Sequence, residues 1–435
     1  MKFPGKRKNK HYFPVTEKST ETFSLQSDLR KANKNYVCGI DQLLVDIEIR
    51  VSDEDLLKWN IARGESHLVD DSLVDEIYNY YFEKGEIHSQ YPGGTVGNTL
   101  HNFSILADSE SAAMGCINNS IQVGDYSYKY LCNTSSKVNL SYLQPCPSPM
   151  GRALCLISDD AERSFLISKG CMNDLNINHI YPSLIEKSSA LLLSAYPFRD
   201  IDAPISQSSI SAAKIAHENE VPVVFTLGTH HIVSEKREEL QSFIKDFVSI
   251  LAMNKEEGHA LTGLTDPLQI CENILDNYCD FVLLTDGAEG LYIGAYVDKN
   301  LARKTKQPLH SKSVVNYNEY EYSRAMLKKH SKDPVKIFNH INPFMGGPRQ
   351  ILNTNGAGDG ALAALLHDIV ANDYHKEIVP QSPKHDHKFL TYSSISQISK
   401  YANRVSYQIL SQHSSRLLKG LPQKEDSLEE AYWDK

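Results

Sequence analysis

Short, nearly continuous apolar runs recur along the chain and are separated by stretches with helical spacing. YVCGI (36–40), ALLLSAY (190–196), VPVVFTL (221–227), FVSILAM (247–253) and FVLLT (281–285) are the clearest runs. A strand reads this way when both of its faces are covered, as in a parallel sheet between two helical layers. Residues 71–84, 206–219, 257–262, 358–371 and 391–412 carry the helical spacing. The alternation predicts an α/β fold with a largely parallel sheet.

Two stretches depart from this pattern. Leu44-Val45-Asp46-Ile47-Glu48-Ile49-Arg50 alternates apolar and polar residues, as a strand with one exposed face does. ALCLIS and RSFLIS flank Asp159-Asp160-Ala161-Glu162 and predict a hairpin. Half-exposed strands of this kind suit a small sheet standing off the main body. Residues 297–349 carry scattered Lys and Arg, several Tyr and little periodicity, and read as an elaborated insertion exposed to solvent. Residues 1–35 read as a polar arm, and 421–435, with KEDSLEE, as a solvated acidic tail.

Composition narrows the function classes. The 435 residues are 41% hydrophobic and 23% charged, an ordinary globular balance. A formal net charge of −9 argues against a broad surface for nucleic acid or an anionic membrane. No uninterrupted apolar run reaches the roughly 18 residues of a spanning helix. The start, MKFPGKRKNK, lacks the apolar segment of a signal peptide. The 8 cysteines form no C-x-x-C pair, which points to a reducing, cytoplasmic setting. His230-His231 and His385-Asp386-His387 lack the Cys or carboxylate partners of a zinc site.

The strongest chemical signal is Asn353-Thr354-Asn355-Gly356-Ala357-Gly358-Asp359-Gly360, followed by the helical run ALAALLHDIVA. Small residues at 356–358 let backbone N–H groups converge at a helix N-terminus, where the dipole attracts an anion. An acidic side chain such as Asp359 is unfavourable beside an anion unless it acts. Accepting the proton of a hydroxyl that attacks phosphorus is such an action. The segment lacks the Lys-Ser/Thr ending of a P-loop and the G-x-G-x-x-G spacing of a dinucleotide fold.

This segment resembles the second signature of the ribokinase-like (carbohydrate kinase, PfkB-type) family, which usually has Asp where this chain has Asn353. Tyr91-Pro92-Gly93-Gly94-Thr95-Val96-Gly97-Asn98-Thr99 resembles the first signature. The resemblance implies a three-layer α/β/α fold with a small β-sheet lid, whose strands fall within about 43–52 and 86–168. One kinase domain would span 36–420. It implies Asp359 as the catalytic base and Gly356, Ala357 and Gly358 as an anion hole. Asp41, Asp46, Gly93, Gly94, Thr95, Gly97 and Asn98 would hold the acceptor sugar. Thr285-Asp286-Gly287-Ala288-Glu289-Gly290 is similar to the family turn that receives the nucleotide phosphates, giving Thr285, Gly287 and Gly290 an ATP role. Asn403 would line the adenine pocket.

Asn254 and Glu257 match the family's N-x-x-E element and would organise hydrated Mg²⁺, although Asn with Glu three residues on is also a capping box. ATP would be the phosphoryl donor, and K⁺ activates many relatives. YLCNTSS (130–136) and the two ends of the chain resemble a purine-nucleoside branch of the family, in which Arg199 would contact the nucleoside. The implied partners are a small nucleoside and ATP, with no nucleic acid and no membrane, in a possible homo-oligomer. A kinase for another nucleoside or a free sugar, or a nucleotide-sensing protein without turnover, stays open.

Overall fold

The computed structural model describes residues 35–421 except 65, 159–162 and 306–316. The arm expected over 1–35, apart from Asn35, the tip of the hairpin at 159–162 and the acidic tail (Leu421 aside) lie outside the described residues. The apolar runs form the parallel centre of a sheet that has 12 strands among the described residues. Its central order is Phe281–Thr285, Ile250–Asn254, Val223–Thr226, Ala190–Ser194, Val37–Ile40 and Ser111–Asn118. Alternate residues of one strand feed two cores. Leu191 and Leu193 pack with Ala212, Ile244 and Ile274, while Ala190 and Leu192 pack with Leu100, Leu365 and Val405.

The helices Pro204–Glu218, Arg237–Phe247 and Pro267–Asn277 cover the first face. Thr95–Ala107, Ala357–Ile378 and Ile395–Leu410 cover the second, which completes three α/β/α layers. Burying one Leu, Ile or Phe fully is worth roughly 1.5–3 kcal/mol, so these two clusters dominate the stability. The helix Ala357–Ile378 is buried at every position from Gly360 to Asn372, as a run apolar all round requires. Its His367 meets the Tyr401 hydroxyl at 2.8 Å, and burial holds its pKa down to about 3, so the ring stays neutral. Asp368 accepts from the Tyr392 and Ser393 amides at 2.8 and 3.1 Å and ties the helix to the strand Phe389–Ser394.

Two expectations are corrected. The helix expected over 391–412 starts at Ile395, because Phe389–Ser394 is a strand and the Ser394 side chain caps the helix behind it. The region 297–349 is not simply an excursion into solvent. Pro334–Ile341 pairs antiparallel with Leu291–Asp298 along its whole length, and Arg324–Met326 also joins the sheet. Ile337 and Phe338 feed opposite cores. The strand hides in the sequence because Asn339 and His340 look polar yet are buried; the His340 ring stacks on Tyr292 at 4.2 Å.

A second sheet, of 5 strands among the described residues, runs in the order Ser66–Val69, Arg163–Ser168, Gly151–Ile157, Leu44–Arg50, Ile87–Pro92. One face packs Val45, Ile47, Leu154 and Leu166 against Val74, Ile77 and Tyr81 of the helix Asp71–Lys84. The chain enters this sheet directly from Val37–Ile40 through Asp41. The second sheet therefore begins at the carboxyl edge of the parallel strands, where α/β sheets bind ligands.

Candidate active site

Segments leaving the carboxyl ends of the parallel strands supply much of the site. Asp41 follows Val37–Ile40 and is 2% exposed. Its carboxylate accepts from the Gly97 amide at 2.8 Å and the Val96 amide at 3.3 Å. Those amides open the helix Thr95–Ala107, whose cap residue Gly94 has no side chain to offer. Asp41 thus caps the helix from another strand. Burial still outweighs these bonds and raises its pKa to about 7.

The glycines make room for carboxylates. A Cβ at Gly94 (φ +93°) would lie 2.2 Å from Asp41 Oδ2, and one at Gly93 would lie 2.6 Å from Asp46 Oδ2. Asp46 stands on Leu44–Arg50, paired with Tyr91 of Ile87–Pro92, so both acids reach the first Gly-rich turn. Thr95 and Gly97 lie in the first turn of the following helix.

Asp359 comes from a second Gly-rich segment. Gly356, at φ +80°, starts the helix Ala357–Ile378, and Asp359 lies in its first turn. The first N–H groups of a helix have no partner within it, which leaves donors at Ala357, Gly358 and Asp359. Nothing lies within 4 Å of a Cβ built on Gly358, so this corner of the loop is open. Asn98 Nδ2 donates to Asp359 Oδ2 at 3.4 Å and bridges the two Gly-rich segments. Burial, with added repulsion from Asp41 and Asp46, raises the Asp359 pKa to about 7.

Asn254 and Glu257 form a closed capping box. The Glu257 carboxylate accepts from Asn254 N at 3.0 Å and Nδ2 at 2.8 Å, while Glu257 N donates back to Asn254 Oδ1 at 2.8 Å. Glu257 is 4% exposed, and burial together with nearby Asp359 raises its pKa to about 7. Asn254 is in register with Thr285 on the next strand, which brings this pair beside the turn Gly287–Glu289. Gly290 closes that turn at φ +100°, where a Cβ would meet the Ile341 carbonyl at 2.0 Å. Asn403 donates to the Asn342 carbonyl at 2.6 Å, further along the helix Ile395–Leu410. Arg199 has Tyr196 and Glu235 as electrostatic neighbours.

Three residues here escaped the sequence reading. Tyr196 donates to the Gly228 carbonyl at 3.2 Å, and burial raises its pKa, helped by Glu257, Asp359 and Asp46 and opposed by Arg199. It lies within electrostatic reach of Asp46, Glu257 and Asp359, and only its position after an apolar strand could have flagged it. Lys255 bonds Asp286 at 3.1 Å and brings a cation to the turn Gly287–Glu289. Arg416 is 2% exposed and donates to Asn98 Oδ1 at 2.9 Å; no local motif marks it. The structure also accounts for Asn353. Its Oδ1 accepts from Asn355 N at 2.9 Å while its Nδ2 donates to the His413 carbonyl at 2.6 Å, a donation an Asp could not make.

Asp41, Asp46 and Glu257 gather within electrostatic reach of Asp359 at the start of the helix Ala357–Ile378, on the three-layer α/β/α body of the ribokinase-like fold. Solved structures share that fold at low identity. Adenosine kinase from Sinorhizobium meliloti superposes with a TM-score of 0.64 at 20% identity, over 88% of this chain and 96% of that one. A probable sugar kinase from Rhizobium etli CFN 42 gives 0.66 at 17% identity, over 92% and 99%. No protein-family model matches the chain. Guanosine-inosine kinase of Escherichia coli K12 is 48% identical over 436 aligned residues, covering 100% of both chains. The chain belongs to the guanosine-inosine kinase family.

Proposed function

We propose that the protein transfers the γ-phosphoryl group of ATP to the 5′-hydroxyl of inosine and guanosine, yielding IMP and GMP for purine salvage in the cytoplasm. The observation that carries this reading is Asp359, a carboxylate with pKa about 7 in the first turn behind Gly356 and bonded to Asn98. A base poised near the working pH is the most efficient proton acceptor. As the 5′-oxygen bonds to the γ-phosphorus, its proton passes to Asp359 and the bond from phosphorus to the ADP oxygen breaks. The amides opening the helix Ala357–Ile378 offset charge developing on the transferred group.

Asp46, Gly93, Gly94, Thr95, Gly97 and Asn98 hold the ribose in this reading, with Asp41 fixing the turn behind them. Arg199 meets the nucleoside, Thr285, Gly287 and Gly290 receive the phosphates, and Asn403 lines the adenine pocket. Among the described residues no group of three or more His, Cys, Asp or Glu could hold a metal ion. Both Glu257 oxygens are already engaged by Asn254. Asn254 and Glu257 are the residues that would hold a hydrated Mg²⁺ in this reading. Bound there, the ion supplies charge neutralisation on the phosphates. K⁺ activation belongs to the same proposal and is checked by exchanging K⁺ for tetramethylammonium at constant ionic strength. Closure of the second sheet over the nucleoside would keep water from competing as acceptor. The 8 free cysteines support a reducing compartment, and no helix among the described residues is long and apolar enough to cross a membrane.

The test is ADP release with inosine, guanosine, adenosine and ribose offered in turn. Turnover with inosine and guanosine well above the other two is expected. Preference for adenosine or ribose would move the assignment to another acceptor, and tight ATP binding without turnover would favour a sensor.

A further inference from the structure

Arg416 is buried beside the proposed base without touching it. Its Nε donates to Asn98 Oδ1 at 2.9 Å and its Nη1 to Thr134 Oγ1 at 2.7 Å, and the guanidinium lies 4.8 Å over the Tyr130 ring. Nη2 lies 3.1 Å from where a Cβ on Gly97 would be, on the Tyr130 side of the guanidinium. The backbone that delivers it is tied on every side. Asn102 brackets it, accepting from Leu417 N at 2.7 Å and donating to the Ser415 carbonyl at 3.1 Å. Gln412 donates to the Ser414 and Arg416 carbonyls at 2.8 Å each, and Ser415 packs on Gly356. A buried guanidinium is costly unless opposing charge or dipoles repay it. Asp41 and Asp359 are the carboxylates whose acidity it strengthens.

An Asn side chain has one accepting and one donating end, and Arg416 can only donate. With Nε–H directed at Oδ1, the other end of Asn98 must present its N–H to Asp359. A reversed amide would turn a carbonyl oxygen toward the carboxylate and favour its protonated form.

We infer that Arg416 is a positioning residue of the phosphoryl transfer: by fixing the polarity of the Asn98 amide it keeps Asp359 oriented and ionised. The inference rests on Asp359 as the base. Asp41 and Asp46 lie near Asp359 and oppose its ionisation; Glu257 and Tyr196 are within electrostatic reach of it, and Arg416 is a cation that favours it.

The experiment compares pH profiles of kcat/KM for inosine in the wild type, Arg416→Met and Arg416→Lys. In Arg416→Met the acidic limb should move up by about one pH unit and kcat at pH 7 fall by roughly ten- to a hundredfold, with KM for ATP within about threefold. Arg416→Lys keeps the charge and stem but not the planar fork, so about a tenfold loss of kcat and a smaller upward shift of the limb are expected. Arg416→Met that folds and keeps the wild-type limb overturns the inference. Should that variant not fold, Arg416→Lys with wild-type kcat and limb overturns it equally. A wild-type profile with no acidic limb overturns both this inference and the base assignment, whereas an unmoved limb in the variants counts against Arg416 alone.

Discussion

Replacing Asp359 with Asn should abolish turnover and stabilise the protein at the same time. The carboxyl is raised from 3.8 to about 7 by burial and by the neighbouring Asp41 and Asp46. Its folded-state pKa lies above its unfolded value, so folding takes up protons between those limits. The stability associated with this site is therefore highest at low pH and falls as pH rises through that window. A rise of that size corresponds to roughly 4 kcal/mol of penalty on the ionised form above pH 7. Asp359 keeps some contact with solvent in the cleft, and screening cuts the figure to about 2 kcal/mol. Asn carries no charge to penalise and still offers an oxygen to Asn98 Nδ2. For a chain of this length that gain is on the order of 2–3 °C in Tm. Thermal unfolding of the ligand-free wild type and Asp359→Asn at pH 8 and pH 5 measures it. The variant should melt higher at pH 8, with a smaller gain at pH 5. No gain at pH 8, or an equal gain at both, would refute the claim that the site holds a carboxylate against its electrostatic preference.

Asp46→Ala should raise KM for inosine by about a hundredfold or more while KM for ATP changes less than about threefold, measured by initial rates with each substrate varied. An effect confined to ATP would remove Asp46 from the sugar site. Glu257→Gln should raise the Mg²⁺ concentration for half-maximal rate by about tenfold and leave KM for inosine nearly unchanged, as read from Mg²⁺ titrations. Gly94→Ala forces a Cβ to 2.2 Å from Asp41 Oδ2 at φ +93°. It should lower stability by about 1–3 kcal/mol in denaturant unfolding, and an unchanged midpoint would show that the turn yields freely.

The parallel centre of the sheet was legible because each strand is covered on both faces and so reads as an apolar run. The edge strand Pro334–Ile341 was not, since it buries Asn339 and His340 and so interrupts its own pattern. Of the site, the segments that need local backbone geometry announced themselves: the turn at Gly93 and Gly94, and the loop ending in Asp359. Side chains acting across long sequence distance did not. Arg416 meets Asn98 from 318 positions away, and Tyr196 meets Gly228 from 32. Such contacts arise from the fold and have no spacing to read. Asn353 falls between these cases, because its identity was visible while its reason, the His413 carbonyl, was not.

Proton acceptance by Asp359 is tested most directly by single-turnover transfer. Wild-type enzyme and Asp359→Asn are loaded with radiolabelled ATP and Mg²⁺, mixed with excess inosine and quenched over time, with labelled IMP as the readout. The account predicts that Asp359→Asn forms IMP at least about a thousandfold more slowly while its Kd for ATP stays within about threefold of wild type. IMP formation within about tenfold of the wild-type rate would contradict it.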